Sequence, residues 1–199
     1  ADAPKVKEIY ATNAAEALKL NPAAVQAAME RDAKAWAEVV RATGGPEGLD
    51  TSPRGDEPGF VAVEDEKTLL IPDRRGNNRI DSLRNIVRDP RVSLLFLVPG
   101  VGETFRVIGR ASISTDPALC ETFVFAGKTP RAVIVVKVES VYFQCSKAVI
   151  RSKLWDPTRH VDRNSLPSNG TILAAITKGA IGGEEYDRAY PERLRQTIY

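Results

Sequence analysis

The stretch LLIPDRRGNNRIDSLRNIVRDPRVSLLF, residues 69–96, decides the fold. Its apolar beginning predicts a strand over residues 67–73, which ends at a proline because proline cannot donate to a sheet. Apolar side chains at helical spacing then predict a helix over residues 79–88, with Ile80, Leu83, Ile86 and Val87 on its buried face. An Asp-Pro pair stops this helix, and the nearly continuous apolar run at 91–98 predicts a central strand. A strand, a polar loop, a helix and a strand thus follow each other closely.

The remaining strands join mainly through short turns. Apolar, β-branched or alternating residues predict strands over 38–43, 59–65, 104–115 and 132–145. Shorter helical patterns cover 116–127 and, as a helix or turn, 147–155. About six strands with few helices indicate a mainly β protein with flanking helices, of the α+β class. We expect an antiparallel sheet closed into a barrel rather than a doubly wound parallel sheet.

The two ends of the chain differ from this middle part. Residues 1–37 are alanine-rich, with Asn21 and Pro22 as a good start for a helix, and predict an N-terminal helical segment. Residues 38–155 form the expected barrel domain. Residues 156–199 are rich in polar residues, proline and glycine, with a helical turn at 171–177. We expect this extension to pack on the barrel or on a partner subunit.

Composition excludes several classes of function. The 199 residues are 43% hydrophobic and 27% charged, with a formal net charge of +2, so no global attraction to nucleic acid is expected. No apolar run of about 18 residues predicts a membrane helix. One histidine and two cysteines are too few for a structural metal site, so no metal is expected. These features favour a soluble, cytoplasmic protein that binds neither nucleic acid nor membrane.

The loop before the helix carries an unusual set of polar residues. It contains three arginines, two asparagines and a glycine, namely Arg74, Arg75, Gly76, Asn77, Asn78 and Arg79. The first N–H groups of a helix have no partner inside it, and arginine forms charge-assisted bonds to phosphate, so the loop is a candidate phosphate site. An asparagine at 77 or 78 is the expected helix cap. From spacing alone, a solvated turn with a capped helix is favoured over a phosphate site.

Two further polar clusters have both a functional and an ordinary interpretation. The stretch TSPRGDEPGF, residues 51–60, places Ser52 and Arg54 between a turn and a strand, where Pro53 and Gly55 also explain a simple turn. In QCSKAVIRSKLWDP, residues 144–157, Lys147 and Arg151 share a helical face, as on a basic surface helix anchored by a tryptophan. Both cysteines, Cys120 and Cys145, are expected to be buried free thiols.

Several of these segments together resemble one known family. The residues 69–113, and in particular DPRVSLLF followed by ETFRVIGRAS, are similar to the pyridoxamine 5′-phosphate oxidase family. That family is a split β-barrel that binds flavin mononucleotide (FMN). SPRGDEPGF, PGVGETFRVIGRA and KAVIRSKLWDP also resemble a bacterial subgroup of probable FMN-dependent enzymes. The resemblance covers roughly residues 38–160.

The resemblance implies a set of cofactor-binding residues. Asn77, Asn78 and Arg79 occupy the phosphate-binding positions, with Ser82 assisting from the helix and Arg74 or Arg75 supplying a charge that the family has at position 78. The remaining positions fall near the flavin ring or the segment that closes the site. They are Ser52, Arg54, Ile71, Pro72, Asp73, Thr104, Gln144, Lys147, Arg151 and Trp155. Thr104 stands where the family often has a glutamine that faces the flavin from the other subunit.

The resemblance implies an FMN-dependent oxidoreductase that transfers hydride through flavin N5 and is a homodimer with FMN at the subunit interface. A small organic molecule would be the substrate, with NADH or NADPH as a candidate donor. The C-terminal Arg/His/Asp motif of the true pyridoxamine phosphate oxidases is missing here, so vitamin B6 oxidation is not expected. Catalytic side chains stay unknown. Alternatives are a flavin-binding, storage or sensor protein without turnover, and a barrel that binds heme or a deazaflavin.

Overall fold

The computed structural model describes residues 38–45, 48–57, 59–76 and 79–198. These residues belong to two compact units, one of residues 38–74 and 79–155, the other of residues 75–76 and 156–198. The predicted helix at 1–37 lies outside the described residues. Among the described helices, none is long and apolar enough to cross a membrane.

Seven strands form one antiparallel sheet in the first unit. Their order in the sheet is β2-β1-β5-β6-β7-β4-β3. The strands are β1 (Glu38–Gly45), β2 (Gly48–Gly55), β3 (Ala62–Asp65), β4 (Thr68–Pro72), β5 (Arg91–Leu97), β6 (Thr104–Ser114) and β7 (Val133–Gln144). The predicted mainly β, α+β class with an antiparallel sheet is confirmed.

The described residues contain five helices. In chain order they are α1 (Asp81–Arg88), α2 (Pro117–Glu121), α3 (Lys147–Ser152), α4 (Asn169–Ile176) and α5 (Gly183–Thr197). Two short 3₁₀ turns, Pro157–Arg159 and Arg163–Ser165, precede α4. The predicted helix at 116–127 is therefore much shorter, because α2 ends at Glu121. Within the predicted C-terminal extension, residues 191–197 form the last part of α5.

The larger core cluster lies on one face of the sheet, and a smaller cluster with Leu70, Val133 and Cys120 lies on the other face. Residues at alternate positions of β5 are buried, with Leu94 fully inaccessible, and residues of β7 such as Ile134 and Val136 pack beside them. This alternation places apolar side chains inside and polar ones outside, as expected for an antiparallel barrel. The long β6–β7 hairpin bends at a bulge beside Gly109, where a Cβ would lie 2.2 Å from the Lys137 carbonyl oxygen.

The structure corrects two predictions about local structure. Residues 51–55, interpreted as a turn, lie inside β2, and Ser52 and Arg54 are therefore strand residues. Pro53 fits there because β2 is an edge strand of the sheet. Helix α1 begins at Asp81 rather than at position 79, and its cap position is Ile80, with no side-chain hydrogen bond. The predicted asparagine cap is wrong.

The buried face of α1 also differs from the predicted one. Its buried residues are Ser82, Asn85 and Ile86, whereas Val87 is 76% exposed. Ser82 donates a hydrogen bond to Asp50 on β2 at 3.0 Å, and Asn85 donates to Thr43 on β1 at 3.2 Å. Polar pairs thus hold the helix on the sheet, because buried polar groups need partners.

Candidate functional site

Two ion pairs connect the end of β2 to the end of β4. Arg54, near the end of β2, donates Nη1 to Oδ1 of Asp73 at 3.2 Å, and Asp73 directly follows β4. One residue further, Arg74 donates Nε to Oδ2 of Asp56 at 2.5 Å. Three of these four residues belong to the predicted site, and the structure brings them together. Asp56 was not among the predicted site residues.

Arg74 is fully engaged within the chain. Besides Asp56, its Nη1 donates to the carbonyl oxygen of Phe123 at 2.6 Å, and its guanidinium lies 5.6 Å from the ring centroid of Phe125. The Asp56 side chain is only 2% exposed. A buried carboxylate of this kind needs its counter-charge, so Arg74 stabilises the fold at this junction. The predicted role of Arg74 toward a phosphate has no support in these contacts.

One N–H group of the Arg54 guanidinium has no acceptor among the described residues. Its Nε is buried and has no hydrogen-bond partner among the described residues, although Nη1 is held by Asp73. A buried, unpaired guanidinium N–H is unfavourable by about 1–3 kcal/mol. An anionic or carbonyl group bound at this junction would relieve that cost after a small rotation of the side chain. Ser52 lies two residues earlier on the same strand and is half-buried.

The loop between β4 and α1 is the second part of this site. Arg79 pairs with Asp81 in the first turn of α1 at 2.7 Å, and its side chain is 74% exposed. Arg75 and Gly76 are also exposed. Asn77 and Asn78, the other predicted phosphate residues, lie outside the described residues. An exposed ion pair is worth at most about 1 kcal/mol, so the pair with Asp81 contributes little to stability.

The predicted site residues on β4, Ile71 and Pro72, directly precede this loop and are buried. Ile71 is 1% exposed, and Pro72 is buried as well. Ile71 faces Ile134 across the β4–β7 ladder, and Pro72 faces Val133. Their side chains belong to the core, so only their backbone is offered to a ligand.

A second group of predicted residues lies where β6 begins and β7 ends. Thr104 is buried and faces Gln144 in the ladder. Gln144 accepts a hydrogen bond from Arg106, whose guanidinium lies 5.4 Å from the ring centroid of Tyr142. Arg106 was missed by sequence reasoning, although its position two residues after Thr104 places both on one face of β6.

Helix α3 and the turn after it complete this second group. Lys147 and Arg151, both on α3, are exposed and have no hydrogen bond or ion pair within the part of the chain that the structure describes. Trp155 donates its indole N–H to the Val101 carbonyl oxygen at 2.7 Å. The tryptophan thus fixes the position of the segment, while the two cations stay free to bind an anion.

The end of β4 and residue Gln144 lie at opposite ends of β7, whereas Arg54 on β2 is connected to Phe143 through four neighbouring strand pairings. Pro72, beside the first group, pairs with Val133, the first residue of β7, whereas Gln144 in the second group is its last. The strand between them spans about 36 Å at roughly 3.3 Å per residue. Within one chain, β7 therefore separates the end of β4 from Gln144.

Other candidate chemistry is limited in the described residues. They contain no group of three or more His, Cys, Asp or Glu side chains placed to hold a metal ion. Both cysteines are free, with Cys120 buried as predicted. Cys145 is exposed, which corrects the prediction, because it follows the last residue of β7 rather than lying inside the strand.

Comparison with known proteins identifies the family. The family model described as pyridoxamine 5′-phosphate oxidase matches residues 37–145, which is more than half of the chain. The chain therefore belongs to the pyridoxamine 5′-phosphate oxidase family, and the predicted resemblance is confirmed. A search of curated proteins gave no match.

Solved structures of similar fold come from several bacteria. HupZ of Group A Streptococcus is 20% identical with a TM-score of 0.45, covering 55% of this chain and 86% of that one. General Stress Protein 26 from Bacillus anthracis is 15% identical with a TM-score of 0.43, covering 58% and 89%. An FAD-binding protein from Mesorhizobium loti is 16% identical with a TM-score of 0.41, covering 58% and 90%. At these levels nothing about ligand or activity follows.

Proposed function

We propose that this chain binds a flavin, specifically FMN, with the phosphate at the loop between β4 and α1. The observation that carries the proposal is the unsatisfied Nε of Arg54 at the junction of β2 and β4. Family membership supports a flavin as the ligand that supplies the missing acceptor. In this proposal Asp73 orients the Arg54 guanidinium through the bond to Nη1, leaving Nε for the ligand.

The phosphate end would be held by charge and by the helix start. Arg79 would leave Asp81 for the phosphate, and Arg75 lies exposed on the same loop. The positive end of the α1 dipole and its unpaired N–H groups favour a dianion at this place. Ser82 lies on the first turn but already donates to Asp50, so we assign it the orientation of the helix and only a minor phosphate role. Asn77 and Asn78 keep their predicted phosphate roles in the proposal.

The ring of the flavin would lie along the end of β4. The side chains of Ile71 and Pro72 are buried in the core, so the backbone from 71 to 73 would follow the ring edge. Ser52 would face the same ligand from β2. A rigid strand wall of this type orients a planar ligand without any rearrangement of the core.

A second subunit would complete the site. Thr104, Gln144, Lys147, Arg151 and Trp155 lie at or beyond the end of β7 opposite Val133, which pairs with Pro72 just before the phosphate loop, so in this proposal they belong to the site of the other subunit. A two-fold homodimer brings the far end of one chain to the near end of the other. Phe105 and Phe143, which are 38% and 56% exposed at that far end, are apolar surface suited to such an interface.

The proposed activity is that of an FMN-dependent oxidoreductase acting on a small organic substrate. When bound, FMN supplies two-electron chemistry through hydride transfer at N5, and the protein binds and orients it. NADH or NADPH is the proposed donor. Lys147 and Arg151, which have no partner among the described residues, would bind an anionic group at the entrance of the site. We assign no side chain as a catalytic acid or base. The exposed thiol of Cys145 is consistent with a reducing cytoplasm.

The test is the visible spectrum of the purified protein, with identification of the cofactor released by heat. Oxidised-flavin bands and released FMN are expected, and Arg54→Met should bind FMN about 10–100-fold more weakly, since a charge-assisted hydrogen bond is worth about 1.5–3 kcal/mol. Arg110→Met is the matched control, because Arg110 pairs with Glu139 on an exposed surface. A protein that stays colourless after addition of FMN contradicts the proposal.

The same samples separate the alternatives. A heme or a deazaflavin has its own absorption spectrum and would replace FMN in the proposal. Bound FMN that neither NADH nor NADPH reduces would indicate a binding, storage or sensor protein without turnover by these donors.

A further inference from the structure

In the C-terminal unit, hydrogen bonds and close glycine contacts hold α4 against α5. Helices α4 and α5 form a hairpin in which Asp187 accepts hydrogen bonds from the Ser168 hydroxyl and from the Gly170 N–H, the latter at 2.7 Å. These bonds lower the pKa of Asp187. A Cβ on Gly182 would lie 2.4 Å from the Gly170 carbonyl oxygen, so only glycine allows this close approach. Polar bonds and glycine contacts therefore fix the hairpin.

Apolar burial is missing from this unit. Among residues 156–198, Gly170 is the only buried residue, so every larger apolar side chain is at least partly exposed. A helical pair of this size does not bury enough apolar surface to be stable by itself. The hairpin therefore needs a further surface to cover it.

The exposed apolar side chains lie on one side of each helix. On α4, Ile172 and Ile176 are 47% and 71% exposed and are four residues apart, so they share a face. The opposite side of α4, which includes Gly170 and Leu173, faces the turn before α5. At the end of α5, Leu194 and the C-cap residue Ile198 are 42% and 56% exposed at the same spacing. Both helices thus present an apolar stripe with no partner among the described residues.

The charges of α5 indicate what kind of partner fits. Its first turn is acidic, with Glu184 and Glu185, and its last turn carries Arg195, which forms an exposed ion pair with Glu192 that it can exchange at little cost. A second copy of α5 in antiparallel orientation, crossing near Ala189, brings Glu184 opposite Arg195. Antiparallel helices also align opposite dipole ends. Arg193 stacks on Tyr186 at 4.1 Å, which fixes the helix surface beside this crossing.

We propose that the apolar face of the α4–α5 hairpin binds the same face of a second copy of this chain. The two hairpins would form a four-helix contact held by the isoleucine and leucine stripes, with Glu184 and Arg195 setting the antiparallel orientation. This contact is separate from the family's matched region, which ends at residue 145. It gives the C-terminal extension the role of a self-association element.

The test uses the full chain with the photoreactive residue p-benzoyl-phenylalanine in place of Ile176. Isotope-labelled and unlabelled protein are mixed, allowed to exchange subunits and irradiated, and cross-linked peptides are identified by mass. The expected products join a labelled and an unlabelled peptide, both from residues 156–198. Cross-links only to residues 1–155, or no cross-links, overturn the proposal. As a control, the same photoreactive residue in place of Val161, which is 67% exposed, gives the yield of cross-links from random collision.

A charge exchange tests the orientation. Glu184→Lys and Arg195→Glu should each reduce the mixed cross-link yield, by up to roughly fivefold for an exposed ion pair. The double variant should recover the yield, and failure to recover it contradicts the antiparallel pairing. Flavin content is measured on the same samples. If the chain without charge changes binds FMN but gives no mixed cross-links, this contact alone is rejected and the proposed flavin function is unaffected.

Discussion

The two ends of strand β7 differ in how their polar groups are satisfied. At the Val133 end, beside the junction of β2 and β4, the charges of Arg74 and Asp56 are buried and paired inside the chain. At the Gln144 end, Phe143 is 56% exposed, and Lys147 and Arg151 have no partner among the described residues. The first end is complete within one chain except for the Nε of Arg54, whereas the second presents apolar surface and free cations to another molecule.

This difference separates stability from assembly. Removal of a paired buried charge leaves its partner unpaired, which destabilises a fold by several kcal/mol. Exposed side chains at the other end contribute little to folding, but they gain contacts when a second surface covers them. Variants at the Val133 end should therefore change the free energy of unfolding, and variants at the Gln144 end should change association and ligand binding.

The largest effect is expected for Arg74→Ala. This change leaves the Asp56 carboxylate, 2% exposed, without its counter-charge and removes the bond to the Phe123 carbonyl oxygen. The free energy of unfolding should fall by about 3–5 kcal/mol in denaturant titration. Arg75→Ala is the matched control and should be nearly neutral, because Arg75 is exposed. Equal stability of the two variants would show that the junction does not hold the fold.

Phe143→Asp should affect association rather than folding. Phe143 forms an edge-to-face pair with Phe105 at 6.2 Å, and both rings are partly exposed. A charge at the centre of an apolar interface should weaken the dimer by about 2 kcal/mol or more, visible as a concentration-dependent mass in sedimentation. Far-ultraviolet circular dichroism should be unchanged. A variant that sediments as the wild type would place the interface elsewhere.

Arg79→Ala should leave the fold intact and weaken the ligand. Its pair with Asp81 is exposed, so the free energy of unfolding should change by less than about 1 kcal/mol. The FMN dissociation constant should rise about tenfold or more, since a phosphate contact is lost. Fluorescence titration with FMN measures the change. Destabilisation as large as that of Arg74→Ala would contradict the assignment of different roles to these two arginines.

The smallest effect is expected at Asp89, which connects α1 to β5. Hydrogen bonds from the side chain and backbone of Arg91 lower the pKa of Asp89 from 3.8 to about 2. A depressed pKa contributes stability above pH 3.8 that is lost as pH falls through about 2. NMR titration should find the low midpoint, and Arg91→Gln should move it toward 3.8. An ordinary midpoint in the wild type would show that the pair does not form in solution.

The corner from β4 through α1 to β5 could be predicted from sequence because its signals are local. The apolar run of β5, the Asp89-Pro90 stop and the polar loop each indicate one element within a few residues. Strand β2 could not be recognised in this way. Pro53 and Gly55 are turn residues by propensity, and only the position of β2 at the sheet edge makes a proline acceptable there.

The site was predicted less completely because its partners are distant in sequence. Periodicity assigned Val87 to the buried face of α1, whereas Ser82 and Asn85 are buried through bonds to Asp50 and Thr43. No local pattern indicates those bonds. Spacing could not distinguish the roles of Arg74 and Arg79 either, because both lie in the same loop. Only the structure shows that Arg74 pairs with Asp56.

The most direct test of the account is subunit complementation. One variant, Arg54→Met, damages the Val133 end, and the other, Lys147→Glu with Arg151→Glu, damages the Gln144 end while changing only exposed residues. Each should bind FMN weakly when alone. After subunit exchange, a two-fold dimer with shared sites should recover about a quarter of the wild-type binding sites, measured by flavin titration. Wild-type binding by the second variant, or no recovery in the mixture, would contradict a site shared between two chains.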